Sequence, residues 1–68
     1  MTIYATPYDP DTLLCTGPSE PAGFESLADV TLVMGEPRHP GRRVHSYPEL
    51  GLAFSDFRLQ GVPTDDAT

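Results

Sequence analysis

The sequence predicts an α+β fold in which one short helix packs on a small antiparallel sheet of two to four strands. Three observations lead there. Phe24, Leu27, Ala28, Thr31 and Met34 recur at steps of three and four residues, which aligns them on one face of a helix. Val33-Met34-Gly35-Glu36-Pro37 then supplies a glycine able to take the left-handed conformation and, two residues on, a proline, so the helix has to stop. Beyond this hinge, Val44 to Tyr47 and Leu52 to Leu59 are rich in β-branched and aromatic residues and are separated by Pro48-Glu49-Leu50-Gly51, the pattern of two strands joined by a turn.

Taken in order, the chain opens on a mixed segment from Met1 to Gly17 in which Ile3-Tyr4 and Leu13-Leu14-Cys15 are candidate short strands and Pro7-Tyr8-Asp9-Pro10 a turn. Prolines limit regular structure, so this segment is expected as a loop wrapping the core, anchored by Tyr4 and Tyr8. Gly17-Pro18-Ser19-Glu20-Pro21 reads as a linker, with Ser19 or Glu20 near a helix cap and Pro21 pre-set for the first turn. Glu25 and Asp29 favour the positive end of the helix dipole. In the last strand, alternation sends Leu52 and Phe54 to one face and Phe57 and Leu59 to the other. A bulge near Ser55-Asp56 is the expected resolution, and burial of both faces the alternative. Residues 1–62 are expected to form one domain and residues 63–68, which include Asp65-Asp66, a disordered acidic tail.

A chain of 68 residues buries only about 60% of the surface its unfolded form exposes, so its own core is thin. With a single cysteine, Cys15, no internal disulfide can form, and a reducing compartment is expected. Neither an export signal nor a stretch near the ~20 apolar residues needed to span a bilayer is present, which predicts a cytoplasmic protein with no membrane role. Net charge is −6, with four arginines and no lysine. That balance opposes direct nucleic-acid binding, favours solubility and permits docking on a basic surface. The lysine-free composition fits an arginine-rich bacterial or phage coding background. Arg38, Arg42 and Arg43 form a basic island in this acidic chain, either a solvated loop or a fork for carboxylate or phosphate.

Reactive constellations are sparse. Cys15 with His39 or His45 is the one nucleophile and base pairing the composition permits, but Leu14 and Thr16 flank the thiol in an apolar stretch where cysteine acts as a small hydrophobe. The histidines stand six positions apart, a spacing outside the compact zinc motifs, so neither a metal nor another cofactor is expected. His45 alternates with Arg43 and Tyr47, which predicts a polar, exposed strand face. No glycine loop precedes a helix as a phosphate cradle does. The expectation is a protein without enzymatic activity.

Phe24-Glu25-Ser26-Leu27-Ala28-Asp29-Val30, Val33-Met34-Gly35-Glu36-Pro37 and Tyr47-Pro48-Glu49-Leu50-Gly51-Leu52-Ala53-Phe54 together resemble a pattern of small bacterial toxin-neutralising immunity proteins, across about half the chain. There a short helix ends in a Gly-x-Pro hinge and a hairpin follows through a Tyr-Pro-x-Leu-Gly-Leu turn. A similar order occurs in small outer-membrane assembly lipoproteins. The first resemblance implies an inhibitor that occupies a partner protein.

Small size, acidity and the lack of a catalytic cluster point the same way, to an acidic inhibitor covering a basic, catalytic or nucleic-acid-binding surface of a toxin or defence-complex subunit. An immunity protein and a phage-encoded anti-defence protein are the two forms considered. Glu36, Glu49 and Asp56 would steer the encounter, Tyr47 and Phe57 would anchor it, and Arg38, Arg42 and Arg43 are further candidate contacts. Two alternatives stand beside it: a self-associating module, as a homodimer or assembly subunit paired through strand 52–59, and an arginine-loop binder of nucleotides or other anions.

Overall fold

The computed structural model describes residues 2–59. They form an α+β unit dominated by sheet, with six strands where two to four are expected: β1 (Tyr4–Asp9), β2 (Leu14–Cys15), β3 (Glu20–Pro21), β4 (His39–Pro40), β5 (Val44–Tyr47) and β6 (Leu52–Ser55). The single helix, α1 (Leu27–Met34), lies between β3 and β4 in the chain. All pairings are antiparallel, in the order β2-β1-β6-β5-β4, and β3 joins β1 beside β2.

The N-terminal segment is therefore no wrapping loop. Tyr4 to Asp9 is the longest strand, and four of its residues pair with β6. Pro7 sits inside it, where a turn is expected, because its missing N–H does not face β6. The Tyr8 amide donates to the Gly51 carbonyl on the β6 side, whereas the Pro7 carbonyl accepts from Thr16 on the other side. On that outer edge a proline interrupts the ladder, and pairing divides there into β2 and β3. Gly17 crosses at this point so closely that a Cβ would lie 2.7 Å from the Pro7 ring.

Glu20-Pro21 belongs to β3, so the helix does not start there. Ser26 caps it instead: its backbone is extended and its hydroxyl accepts from the Asp29 amide at 3.2 Å. The expected inward face also turns. Val30 is the fully buried helix residue, with Leu27 packed beside it, while Ala28 and Met34 are exposed. At the far end the expected stop holds. Gly35 has φ 91° and ψ −174°, an extended mirror region open almost only to glycine rather than the left-handed helical one. The Gly35 carbonyl accepts from the Tyr47 hydroxyl at 2.7 Å, which fixes the helix end to the sheet.

Both faces of the sheet are covered. On the helix side, Ile3, Val30, Tyr47 and Phe54 form one cluster, in which the Phe54 ring meets Phe24 and Tyr47 edge-on at 5.9 and 5.6 Å. On the other side, Tyr8, Val44, Ala53 and Leu59 form a second, with Cys15 and Phe57 against it. The phase change near Ser55 is thus settled by two-sided burial and not by a bulge. β6 ends at Ser55, and the segment 56–59 folds over the second face.

Ser19 holds that fold-over. Its hydroxyl accepts from the Leu59 amide at 2.8 Å, lies 3.3 Å from the Leu59 carbonyl and 2.6 Å from the Thr6 hydroxyl, and all three residues are buried. The Arg58 guanidinium donates to the Ser19 carbonyl at 2.7 Å and covers the Tyr4 ring at 4.7 Å. The acidic tail expected at 63–68 lies outside the described residues. Ser19→Ala leaves the Leu59 amide buried without its acceptor, a loss of about 1–3 kcal/mol. In thermal unfolding, each lost kcal/mol lowers the midpoint by about 4–8 °C for a domain of this size, and an unchanged midpoint would contradict the clasp.

Candidate functional site

The arginine island is placed by the short ribbon of β4 and β5, and its side chains turn onto neighbouring acids. Val44 pairs with Ser55, so the next residues outward, Arg43 and Asp56, stand opposite each other. The Arg43 Nε donates to the Asp56 Oδ1 at 3.1 Å, and its guanidinium covers the Phe57 ring at 4.4 Å. On the other side of the ribbon, Arg38 reaches Glu49 at 3.5 Å across the β5–β6 turn. Arg42 also is engaged within the chain. Both ion pairs are open to water, so each contributes at most about 1 kcal/mol. Their larger effect is on charge: two forks of the island already hold carboxylates.

The eight residues expected to contact a partner are not gathered on one face. Arg38, Arg42, Arg43, Glu49, Asp56 and Phe57 lie around the β4–β5 ribbon and the ends of β6. Glu36 is exposed just beyond the helix stop. Tyr47 is the clear correction. Its ring is only 2% exposed, within the helix-side cluster, so it cannot anchor a partner. The strand face that carries His45 and Tyr47 is likewise largely covered, with Tyr47 buried and His45 half-buried, because α1 packs over this side of the sheet. Phe57 is half-buried beneath Arg43 and retains a partial edge.

The strand once expected at 52–59 offers no free edge for self-pairing, since β6 has β1 on one side and β5 on the other. The outermost strands, β2, β3 and β4, are two residues long each, and β3 and β4 contain Pro21 and Pro40. Short, proline-bearing edges give a second chain little to pair with.

Cys15 and the histidines are kept apart by the sheet. Cys15 pairs with Tyr8 and packs on the second cluster, whereas His45 pairs with Phe54 on the helix side. His39 is on β4, four strands from β2, roughly 19 Å at ~4.8 Å per strand. The His45 Nδ1 is buried and has no hydrogen-bond partner among the described residues. No three His, Cys, Asp or Glu side chains converge among the described residues. Burial pushes the Tyr8 hydroxyl above its ordinary range, against a hydrogen bond to Ser46, and Glu49 raises it further while Arg38 opposes.

Sequence reasoning did not single out the exposed apolar groups. Leu32 and Val33 point to solvent from α1, Leu13 and Leu50 lie half-exposed at turns, and Leu14 is half-exposed on β2. Leu13 is held at φ 62°, a left-handed conformation that costs a non-glycine residue about 1–2 kcal/mol. A signal existed for the helix: Thr31-Leu32-Val33-Met34 is more apolar than one buried stripe requires. No helix among the described residues is long and apolar enough to cross a membrane. Comparison with known protein families, with curated proteins and with solved structures finds no match.

Desolvation raises the Cys15 thiol above its ordinary range, so less of the reactive thiolate is present near neutral pH in the folded chain than in the unfolded one. Alkylation by iodoacetamide at neutral pH is therefore expected to run slower in the native protein than in denaturant. The unfolded thiol ionises first as pH rises, so the same shift removes stability across the alkaline thiol range. Faster native alkylation would show an activated cysteine and contradict this placement.

Proposed function

We propose that this protein works by binding, as an acidic inhibitor that covers a basic surface of another protein. This is the role of toxin-neutralising immunity proteins and of phage-encoded antagonists of defence complexes. The observation that carries the reading is where the charges go. Arg38 and Arg43 are held by Glu49 and Asp56, and Arg58 is drawn onto Tyr4 and the Ser19 carbonyl. Asp11, Glu20, Glu25 and Glu36 remain on the outside, as do the apolar side chains of Leu13, Leu14, Leu32 and Val33. Such a surface attracts a cationic partner from a distance and excludes water on contact.

Engagement of the island within the chain counts against the arginine-loop anion binder, because an incoming phosphate would have to displace Glu49 or Asp56. The interior position of β6 counts against a module paired through that strand. The reading is tested by immobilising the chain and passing over it an extract of its own source cells. Retention of a specific basic protein at about 0.1 M salt is expected, with release near 1 M, where the Debye length falls from about 10 to about 3 Å. Retention of no specific macromolecule, or turnover of a substrate by the purified chain, would overturn it.

A further inference from the structure

Helix α1 has two apolar sides. Leu27 and Val30 face the sheet, while Ala28, Leu32 and Val33 face water, with Leu32 83% and Val33 69% exposed. Single exposed leucines are ordinary on a protein surface. Here Ala28 and Leu32 are neighbours one turn apart, and Val33 stands farther round the helix beyond Asp29, so the outward face is an apolar pair and a further valine flanking one carboxylate. Acidic groups stand at both ends: Glu25 ahead of the cap, Asp29 in the first turn and Glu36 past the stop. The last turn has no basic side chain, so the negative end of the helix dipole adds to Glu36.

We propose that this outward face of α1 is the docking surface, and that its occupant is an apolar groove on another protein rimmed by lysine or arginine. The proposal rests on the binding function above and assigns its surface. Charge selects this occupant over a second copy. In a two-fold pair of such helices, whether parallel or antiparallel, acids at the ends of one copy meet acids of the other, and like charges in apposition oppose the contact. The contacts that hold Arg38, Arg43 and Arg58 lie elsewhere, on Glu49, Asp56 and Tyr4. A helix that lays an apolar strip into a groove is also a common recognition mode. The half-exposed leucines at the turns are a weaker candidate, because the carboxylate of Glu49 beside Leu50 is already paired with Arg38.

The test places the photo-crosslinker p-benzoylphenylalanine at position 32 in one protein and at position 13 in another, each exposed to source-cell extract. Position 32 is expected to crosslink to a basic protein and position 13 is not. Leu32→Asp should weaken retention of that protein by about tenfold or more, the loss expected of a central apolar anchor. Leu13→Asp should leave it unchanged, with circular dichroism at the assay temperature showing that both variants are folded. Glu25→Gln with Glu36→Gln should weaken retention at low salt and make little difference at high salt. A partner crosslinked through position 13 and not 32 would overturn this surface and leave the binding function standing. A crosslinked homodimer through position 32 would overturn the choice of occupant. Absence of any captured protein in the parent overturns both.

Discussion

One buried hydroxyl sets the conditions for the rest of this molecule. A sheet only a few residues wide, with apolar side chains on both faces, dissolves into water unless both faces are covered, and one eight-residue helix can cover only one. The second face is closed by the chain itself, folding back after β6 to lay Phe57 and Leu59 over Tyr8, Val44 and Ala53. Such a strap needs a fixed point, because its backbone leaves the ladder and brings unpaired polar groups into the interior. Ser19 gives it one by accepting the Leu59 amide while touching Thr6. Side chain, strap and β1 are joined at a single atom.

This arrangement explains which parts of the fold could be read from the residues. The helix stop at Gly35, the turn at 48–51 and strand β5 rest on local chemistry, glycine and proline punctuation and β-branched runs, and local chemistry is what a sequence displays. β1 was hidden because Pro7 and Pro10 signal a turn, and only pairing with β6 makes a strand of that segment. Ser19 looks like a cap because short hydroxyl residues before a proline often are, yet its hydroxyl is spent in the core and Ser26 caps the helix. The helix face is not legible in the spacing because both sides are apolar. Periodicity cannot tell Val30 from Met34 when Leu32 and Val33 blur the stripe.

The interaction residues show the same division. Arg38, Arg42 and Arg43 are visible as a basic island, but sequence cannot show that Glu49 lies across a turn or that Asp56 lies opposite in the next strand. Tyr47 stands among polar neighbours in sequence and nonetheless lies in the core, where its hydroxyl ties Gly35 down. With Arg38 and Arg43 paired to carboxylates at the surface and both sheet faces closed, the described surface away from the arginines is carboxylate and aliphatic. The outer face of the helix combines the two, and the helix can present it because Ser26, Gly35 and Tyr47 fix both of its ends.

The sheet is built on the pairing of its N-terminal strand with β6 and is sealed from behind by the returning chain. Amide hydrogen exchange followed residue by residue measures this directly. Thr6 and Tyr8, whose amides face β6, should exchange as slowly as Ala53 and Phe54, and the Leu59 amide should be protected although it lies outside any strand. Exchange of Thr6, Tyr8 and Leu59 at the rate of an open loop, with β5 and β6 still protected, would contradict it.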